Sequence, residues 1–441
     1  MNRAFFLSFI MFSITNAVAA QSFTLQQCID SALAHNIPVK QSGLLAENAA
    51  VNWRQSKSNM LPYLSADINH GIYQGRSIDP FSNSYVNQNL SSANYGMNTG
   101  VVVFNGGALQ NNTRQNAAAY EASKMEWQQA RDRLVLDVIL AYLQVLNNED
   151  VVVSATRQAE VSQRQLDRLS ILNEQGAIKP SDLFDVKGQL MNDQLAIVNA
   201  RNQLETSKLN LAQLMNRPYS KNIKLDRIDA EEFLTSYASS SDQVYQNALQ
   251  QFSLVKAVAL RKKSSEYAVR SARGFLFPTI SLGAGSNTNY SSIAQNAAGK
   301  IPYNNQLQNN ISTSLGVGVS IPIFNRMQAR NRIKIAEIAY RNSELEESNT
   351  KLLLRQQIDQ AYLNMTNAYE RYKVLLEQVN AYTESFNAAE VRYAAGVGTS
   401  IDYLTAKDRL DRATINLISA RYDFVLRKKV LDFYSSASAP K

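Results

Sequence analysis

Residues 358–393 read IDQAYLNMTNAYERYKVLLEQVNAYTESFNAAEVRY, and their apolar side chains recur at steps of three, four or seven. This seven-residue repeat keeps one face of a helix against a neighbouring helix. The segment belongs to a longer stretch, Arg326–Ala395, that contains neither Gly nor Pro, and Ala108–Gln175 is a second such stretch. At about 1.5 Å per residue, each stretch predicts a helix of roughly 100 Å, which is far longer than a compact domain accommodates. The sequence therefore predicts an elongated helical body.

The first residues have the pattern of an export signal. Arg3 precedes an apolar run at residues 4–14, and small side chains follow at Ala17–Ala20. This order predicts a signal peptide over residues 1–20 and a mature chain that begins near Gln21. No later run of apolar residues is long enough to predict a transmembrane helix.

The remainder of the chain is an internal duplication. Leu61–Ser65 (LPYLS) reappears as Phe277–Ser281 (FPTIS), and Val103–Asn105 (VFN) reappears as Ile323–Asn325 (IFN). Self-similarity of this kind predicts a repeated architecture. Each repeat is expected to contain an amphipathic helix, a strand pair, the long helix and a second helix that folds back. The predicted division is a first repeat at 21–216, a linker at 217–240 and a second repeat at 241–441, with the amphipathic helices at about 25–58 and 242–273.

The strand pairs are identified by strict alternation. Residues 64–69 (LSADIN) and 313–321 (TSLGVGVSI) alternate between apolar or bulky side chains and small or polar ones. One apolar face and one polar face suit a transmembrane β-barrel, with lipid outside and water inside. A β-sandwich is the alternative, and it is weakened because each strand pair lies between long helices. Four strands per chain cannot close a membrane barrel, so several copies must share one: two would supply eight strands and three would supply twelve.

Each long helix is expected to end at a Gly turn and to fold back into an antiparallel coiled pair. The turns are Gly176–Asp182 (GAIKPSD) and Gly396–Asp402 (GVGTSID), where Gly stops one helix and Ser or Thr starts the next. The segment Tyr393–Leu410 (YAAGVGTSIDYLTAKDRL) resembles the helix-turn-helix tip of the TolC-like outer-membrane efflux proteins. The strand start at Leu61–Pro62 and the helix start at Val103–Gly107 are also similar to that family.

The resemblance covers nearly all of the mature chain and implies an α+β membrane protein. A long antiparallel α-helical coiled-coil barrel would cross the periplasm and join a shared transmembrane β-barrel, with four strands per chain and twelve in a homotrimer. The family places such a channel-tunnel in the outer membrane of a Gram-negative bacterium, in contact with its lipid. Small molecules or proteins would reach it from an inner-membrane pump through a periplasmic adaptor (membrane fusion) protein, and multidrug efflux is the favoured function. The alternative is a structural or adhesive cell-surface coiled-coil protein, although a fibre needs no lipid-facing strand pairs.

The tip turns are the candidate site. In the family they form the periplasmic mouth, so the resemblance implies an adaptor-docking surface made of Gly176, Lys179, Pro180, Ser181, Gly396, Gly398, Thr399 and Ser400. An acidic residue after the second turn narrows the family's closed tunnel, which implies a constriction at Asp402, with Asp182 and Asp185 from the first repeat. Gly398 stands where the family often has an arginine, so closure by packing more than by salt bridges is expected. A carboxylate in the first turn of a helix also stabilises that helix, and both interpretations of these Asp residues remain open.

Catalysis is not predicted. The chain has only two His, His35 and His70, and no grouping of residues typical of a nucleophile, a metal or a bound phosphate. We therefore expect no enzyme activity, no metal and no cofactor. The net charge of +8 is modest for 441 residues, and the short basic clusters at 261–263 and 427–429 are typical of solvated helix faces. A nucleic-acid partner is not expected.

Overall fold

The computed structural model describes residues 22–79, 82–87, 89–221, 223–227 and 237–435. The predicted signal peptide at 1–20 lies outside the described residues, and so does part of the predicted linker. Within these ranges, no helix combines the length and the apolar character that crossing a bilayer requires. The elements, in chain order, are β1 (Ser22–Phe23), α1 (Leu25–His35), α2 (Ile37–Ser58), β2 (Tyr63–Tyr73), β3 (Arg76–Ile78), β4 (Tyr85–Asn87), β5 (Leu90–Phe104), α3 (Ala108–Glu174), α4 (Pro180–Leu214), β6 (Lys224–Leu225), α5 (Ser241–Gln251), α6 (Ser253–Gly274), β7 (Thr279–Ser291), β8 (Gln295–Asn296), β9 (Gly299–Lys300), α7 (Tyr303–Asn309), β10 (Ser312–Ser320), α8 (Gln328–Ala394) and α9 (Ser400–Ser435).

The two predicted long helices are present as α3 and α8, each of 67 residues. The second begins at Gln328 and not at Arg326, because Arg326 and Met327 adopt left-handed backbone conformations with φ of 53° and 63°. The corresponding residues of the first repeat, Gly106 and Gly107, have φ of 65° and 77°. Both repeats therefore enter the long helix through the same backbone turn, although only the first repeat uses glycine there.

The prediction of one continuous amphipathic helix at the start of each repeat is wrong. In the structure each is broken into two helices, at Asn36 and at Phe252, whose ψ angles of 122° and 124° are extended. The Asn36 side-chain oxygen accepts a hydrogen bond from the backbone N–H of Val39 at 3.2 Å, and so caps the start of α2. The ring of Phe252 instead packs edge-on against Phe433, with ring centroids 5.5 Å apart. A capping side chain interrupts the helix in one repeat, and long-range aromatic packing accompanies the break in the other.

The predicted strands form one antiparallel sheet in the order β10-β7-β5-β2. Its register places Asn94 beside Asn69 on one side and Asn289 on the other, so the polar residues of neighbouring strands share a face. The opposite face carries exposed apolar side chains, including Leu64, Ile68, Ile72, Leu315 and Val317. The predicted two-faced strands are therefore confirmed. Within the described strands, β2 and β10 are the outer strands of the sheet, so a single chain does not close a barrel.

The chain divides into two compact units. The first comprises the described residues of Met1–Lys40, Ala130–Phe252 and Leu354–Lys441, and the second comprises Gln41–Gln129 and Ser253–Leu353. The four-stranded sheet belongs to the second unit, whereas the two Gly turns belong to the first. The predicted division into repeats and linker at 216/217 and 240/241 remains a prediction.

The first unit holds a buried apolar core between its helices. Buried residues of α1, α3, α4 and α9 contribute to it, among them Cys28, Val138, Leu211 and Val425. The fully buried Tyr142 hydroxyl lies 2.6 Å from the carbonyl oxygen of Asp226 and 3.1 Å from that of Phe23. Tyr142 thereby fixes the short parallel pair of β1 and β6 on α3.

Candidate functional site

The two Gly turns have the same backbone geometry. Gly176 and Gly396 have φ of 71° and 74°, in the left-handed region that favours glycine. The amide of each glycine bonds the carbonyl three residues before it, and the next amide bonds the carbonyl five residues before it. This hydrogen-bond pattern is the Schellman motif, which satisfies the last carbonyls of α3 and α8. The prediction that Gly176 and Gly396 end the two long helices is confirmed.

Ser400 joins the two turns. Its buried hydroxyl lies 3.2 Å from Asp182 Oδ1 and 3.3 Å from Asp185 Oδ2, so it can donate to either carboxylate. A cavity of about 720 Å³ opens beside this contact. Several of the predicted docking residues line the cavity, together with the two carboxylates: Lys179, Ser181, Asp182, Asp185, Gly396, Gly398, Thr399 and Ser400. Gly176 and Pro180 lie in the same turns but do not line it.

Asp402 has a different environment. Its carboxylate accepts hydrogen bonds from the Thr399 hydroxyl at 2.8 Å and from the Thr399 amide at 3.3 Å, and its own amide donates to the Thr399 hydroxyl at 3.1 Å. This reciprocal arrangement is a capping box at the start of α9. The hydrogen bond from the Thr399 hydroxyl holds the pKa of the exposed Asp402 carboxyl below its usual value. Helix capping therefore accounts for Asp402 within one chain, and its predicted part in a constriction remains a proposal.

Arg168 is a tip residue that sequence reasoning missed. Gly398 leaves the second turn without an arginine, but Arg168 reaches across from α3 and donates to the carbonyl oxygen of Ala394 at 3.2 Å. Ala394 is the last residue of α8, where the helix dipole favours a cation. The local sequence around Arg168 carries no signal for this contact.

A buried ion pair lies further along α9, and sequence reasoning missed it as well. Lys407 is 2% exposed, and its Nζ contacts Asp193 Oδ2 of α4 at 3.0 Å and Asp411 Oδ2 at 2.5 Å. Asp193 also accepts hydrogen bonds from Ser162 of α3 at 2.5 Å and from Gln189 at 2.8 Å. Burial raises the pKa of the Asp411 carboxyl, an effect that Lys407 opposes. One signal was available. Lys407 lies four residues after Tyr403 and three before Leu410, so it shares one helix face with these two apolar residues, where a charge needs a partner.

Comparison with known proteins gives the family. A family model described as outer membrane efflux protein matches residues 28–217 and 244–432, which is most of the chain. The chain belongs to the outer membrane efflux protein family. Among curated relatives, outer membrane protein TolC of Escherichia coli (strain K12) is 23% identical over 419 residues, covering 93% of this chain and 81% of that protein.

Solved structures show the same fold. Crystal structures of CusC give a TM-score of 0.80 at 16% identity, covering 94% of this chain and 92% of that chain. The outer membrane protein VceC from Vibrio cholerae gives a TM-score of 0.78 at 14% identity, covering 93% and 94% of the two chains. The predicted fold, with paired long helices and barrel strands in two repeats, is therefore confirmed. As an outer membrane efflux protein, the chain is a transport protein of the Gram-negative outer membrane that extends into the periplasm.

The turn geometry leads to a first prediction, for Gly396→Ala. No atom lies within 4 Å of a Cβ added at Gly396, so the substitution is resisted only by the left-handed φ of 74°. That conformation costs an L-residue about 1–2 kcal/mol, and we expect amide hydrogen exchange at this turn to become about tenfold faster, with the fold of the sheet unchanged. Gly188→Ala is the control, since Gly188 lies inside α4 with equally open space around it. Equal exchange in wild type and Gly396→Ala would contradict a strained turn.

Proposed function

We propose that three copies of this chain form one outer-membrane conduit, and that its two tip turns meet a periplasmic adaptor that connects the conduit to an inner-membrane pump. The proposed cargo is small molecules, as in multidrug efflux. The observation that carries the proposal is the four-stranded sheet, whose β2 and β10 leave unpaired edges in the described structure. Open edges are not tolerated in lipid, so strands of further copies must cover them. Three copies supply twelve strands, within the range of closed membrane barrels.

The two faces of the sheet support this arrangement. The apolar face, with Leu315 at 84% exposed and Ile72 at 75%, is too apolar to be left in water. The polar face is lined mainly by Asn, Ser and Gly, and Asp67 is its one charged side chain in the paired strands. A lumen with this lining provides water-filled passage and few specific contacts, so we assign cargo selection to the pump.

The carboxylates near the two Gly turns support the proposal of a narrow entrance. Ser400 contacts both Asp182 and Asp185, which are neighbours on α4. The capping box fixes the Asp402 carboxylate two residues after Ser400, at the start of α9. With threefold symmetry, each of these carboxylates occurs three times around the axis, where like charges attract cations from solution. The proposed constriction therefore consists of Asp402, Asp182 and Asp185, and the adaptor-docking surface of the turn residues Gly176, Lys179, Pro180, Ser181, Gly396, Gly398, Thr399 and Ser400.

Ion conduction tests the proposal. The wild-type protein should have the mass of three chains in detergent, and in planar bilayers it should conduct with a preference for cations. Asp182→Asn combined with Asp402→Asn should reduce that preference and the block by trivalent cations. The Thr399 hydroxyl lowers the pKa of Asp402. Asp402 should therefore stay ionised, and keep contributing to the cation preference, as the pH falls through the usual pKa range of carboxyl groups.

A control separates a constriction from a general charge effect. Asp408 lies on the same helix as Asp402 and pairs with Arg412 at 2.9 Å, so Asp408→Asn should leave the preference unchanged. An unaltered preference in the double variant would restrict the Asp residues to helix capping. A monomer with a complete barrel, or a protein that never conducts, would overturn the conduit itself.

A further inference from the structure

A cationic cleft lies between α3 and α9, separate from the cavity at the two turns. Its volume is about 450 Å³. Three guanidinium groups line it: Arg157 of α3, Arg227 of the predicted linker and Arg421 of α9. No motif in the sequence connects these arginines, which come from three distant segments.

One carboxylate in the lining, that of Asp150, pairs with two of the three arginines. Asp150 Oδ1 accepts from Arg227 at 2.8 Å, and Asp150 Oδ2 accepts from Arg421 at 2.8 Å and from the Tyr422 hydroxyl at 2.9 Å. The other two charged side chains in the lining, Lys407 and Asp411, already pair with each other. The cleft therefore carries an excess of positive charge.

Several donors in the cleft remain unused. Arg157 is exposed and makes no ion pair or hydrogen bond with any residue that the structure describes. The Nε of Arg421 is buried and has no hydrogen-bond partner among the described residues. Arg227 uses one contact to Asp150 while 69% of its side chain stays exposed. A buried donor without a partner costs free energy, so an incoming acceptor is favoured.

The shape and the remaining lining indicate a peptide. Lining residues on α3 run from Asp150 to Val161, which corresponds to about 16 Å along a helix. Apolar side chains lie among the arginines, namely Val153, Val161, Phe386, Leu410 and Ile418. A small inorganic anion would use neither this length nor the apolar contacts. An amphipathic segment uses both, because its apolar side chains fill the groove while its carboxylates meet guanidinium groups in paired hydrogen bonds.

We propose that the cationic cleft binds an acidic amphipathic segment of a periplasmic partner protein. The inference rests on the proposed function only in assuming that a partner reaches the helices of the conduit. The contact is distinct from the tip turns, and it would hold the partner along the side of α3 and α9. Charge attraction draws the acidic segment in, and its carboxylates give Arg157 the ion-pair partner that the described residues do not supply.

Peptide binding tests the cleft directly. The probe is a fluorescein-labelled helical peptide with leucine on one face and glutamate on the other, and fluorescence anisotropy reports its binding to the full-length protein in lipid nanodiscs. We expect the glutamate peptide to bind and its lysine twin not to bind. Arg157→Ala should weaken binding by up to about fivefold, the upper end of what an exposed charged contact contributes. Added salt should weaken it further.

Arg164→Ala is the matched control. Arg164 is exposed on the same helix, seven residues further along, and does not line the cleft, so its loss should leave the affinity unchanged. Equal weakening by both substitutions would reduce the effect to general charge and overturn the proposal. Displacement of the peptide by millimolar inorganic phosphate would also overturn it, since the cleft would then be an anion site only. Conduction in bilayers is measured independently. A protein that conducts but does not bind the peptide would therefore contradict the proposed cleft and not the proposed conduit.

Discussion

Replacing Lys407 by methionine is expected to lower the free energy of unfolding by about 3–5 kcal/mol, the typical cost of removing one partner from a buried ion pair. Methionine fills much of the space of the lysine side chain but leaves the Asp193 and Asp411 carboxylates without their cation. Asp193 keeps its hydrogen bonds from Ser162 and Gln189, which limits the loss. Denaturant unfolding of the detergent-solubilised protein, followed by circular dichroism, measures the effect.

The loss should depend on pH. Burial already raises the folded-state pKa of Asp411 above its unfolded value, so ionised Asp411 lowers stability as the pH rises through that interval. Lys407 opposes this rise in pKa, and its removal raises the folded-state pKa further. The deficit of Lys407→Met should therefore be largest at neutral pH and should shrink as the pH falls toward the ordinary Asp pKa of about 4, where the carboxyls become neutral.

The internal repeat supplies the control for this prediction. Lys187 occupies the position in the first repeat that Lys407 occupies in the second, but its side chain is exposed, and Ala413 stands where Asp193 would be needed. We expect Lys187→Met to change stability by less than about 0.5 kcal/mol. Replacing Asp193 by leucine together with Lys407→Met should recover part of the loss, because one buried charge then no longer lacks a partner. Similar losses at both lysines would show that the buried pair is not responsible.

Gly106→Ala is expected to destabilise the second unit by roughly 2–5 kcal/mol, which combines the left-handed backbone cost with overpacking. A Cβ at Gly106 would lie 2.6 Å from the carbonyl oxygen of Gly274 and 2.7 Å from Phe277 Cβ. Neither obstacle is the free end of a flexible side chain, so the end of α6 and the start of β7 would have to move. Melting temperature and the amount of protein recovered in outer-membrane fractions measure the effect.

The neighbouring glycine separates the two causes. Gly107 has a similar φ of 77°, but a Cβ there would meet only Asn111 Nδ2 at an ordinary 3.5 Å. Gly107→Ala should therefore cost about 1–2 kcal/mol from the backbone alone. Arg326 and Met327 hold the same conformation in the second repeat, so the conformation by itself is compatible with the fold. Equal losses at Gly106 and Gly107 would mean that the close approach to Gly274 contributes nothing.

The sequence by itself determined the elements of this protein. The absence of Gly and Pro, together with the seven-residue repeat of apolar side chains, predicted α3 and α8 almost to the residue. Alternation predicted both faces of the strands, and Gly176 and Gly396 predicted the turns. These features depend on neighbours within a few positions, because helix periodicity, strand pleating and left-handed glycine are local properties of the backbone. Repetition of the pattern then revealed the two repeats.

Only the tertiary structure decided which distant side chains meet. Lys407 and Asp193 form a buried pair between α9 and α4, Ser400 reaches Asp182 and Asp185, and Asp150 binds arginines from two other segments. Each of these contacts depends on how one helix pair packs against the other, and no local pattern records that choice. The break of the amphipathic helix at Phe252 has the same origin, since its ring packs on α9. Contacts between side chains that are distant in sequence depend on how the helices pack, and that packing depends on all the elements of the fold together.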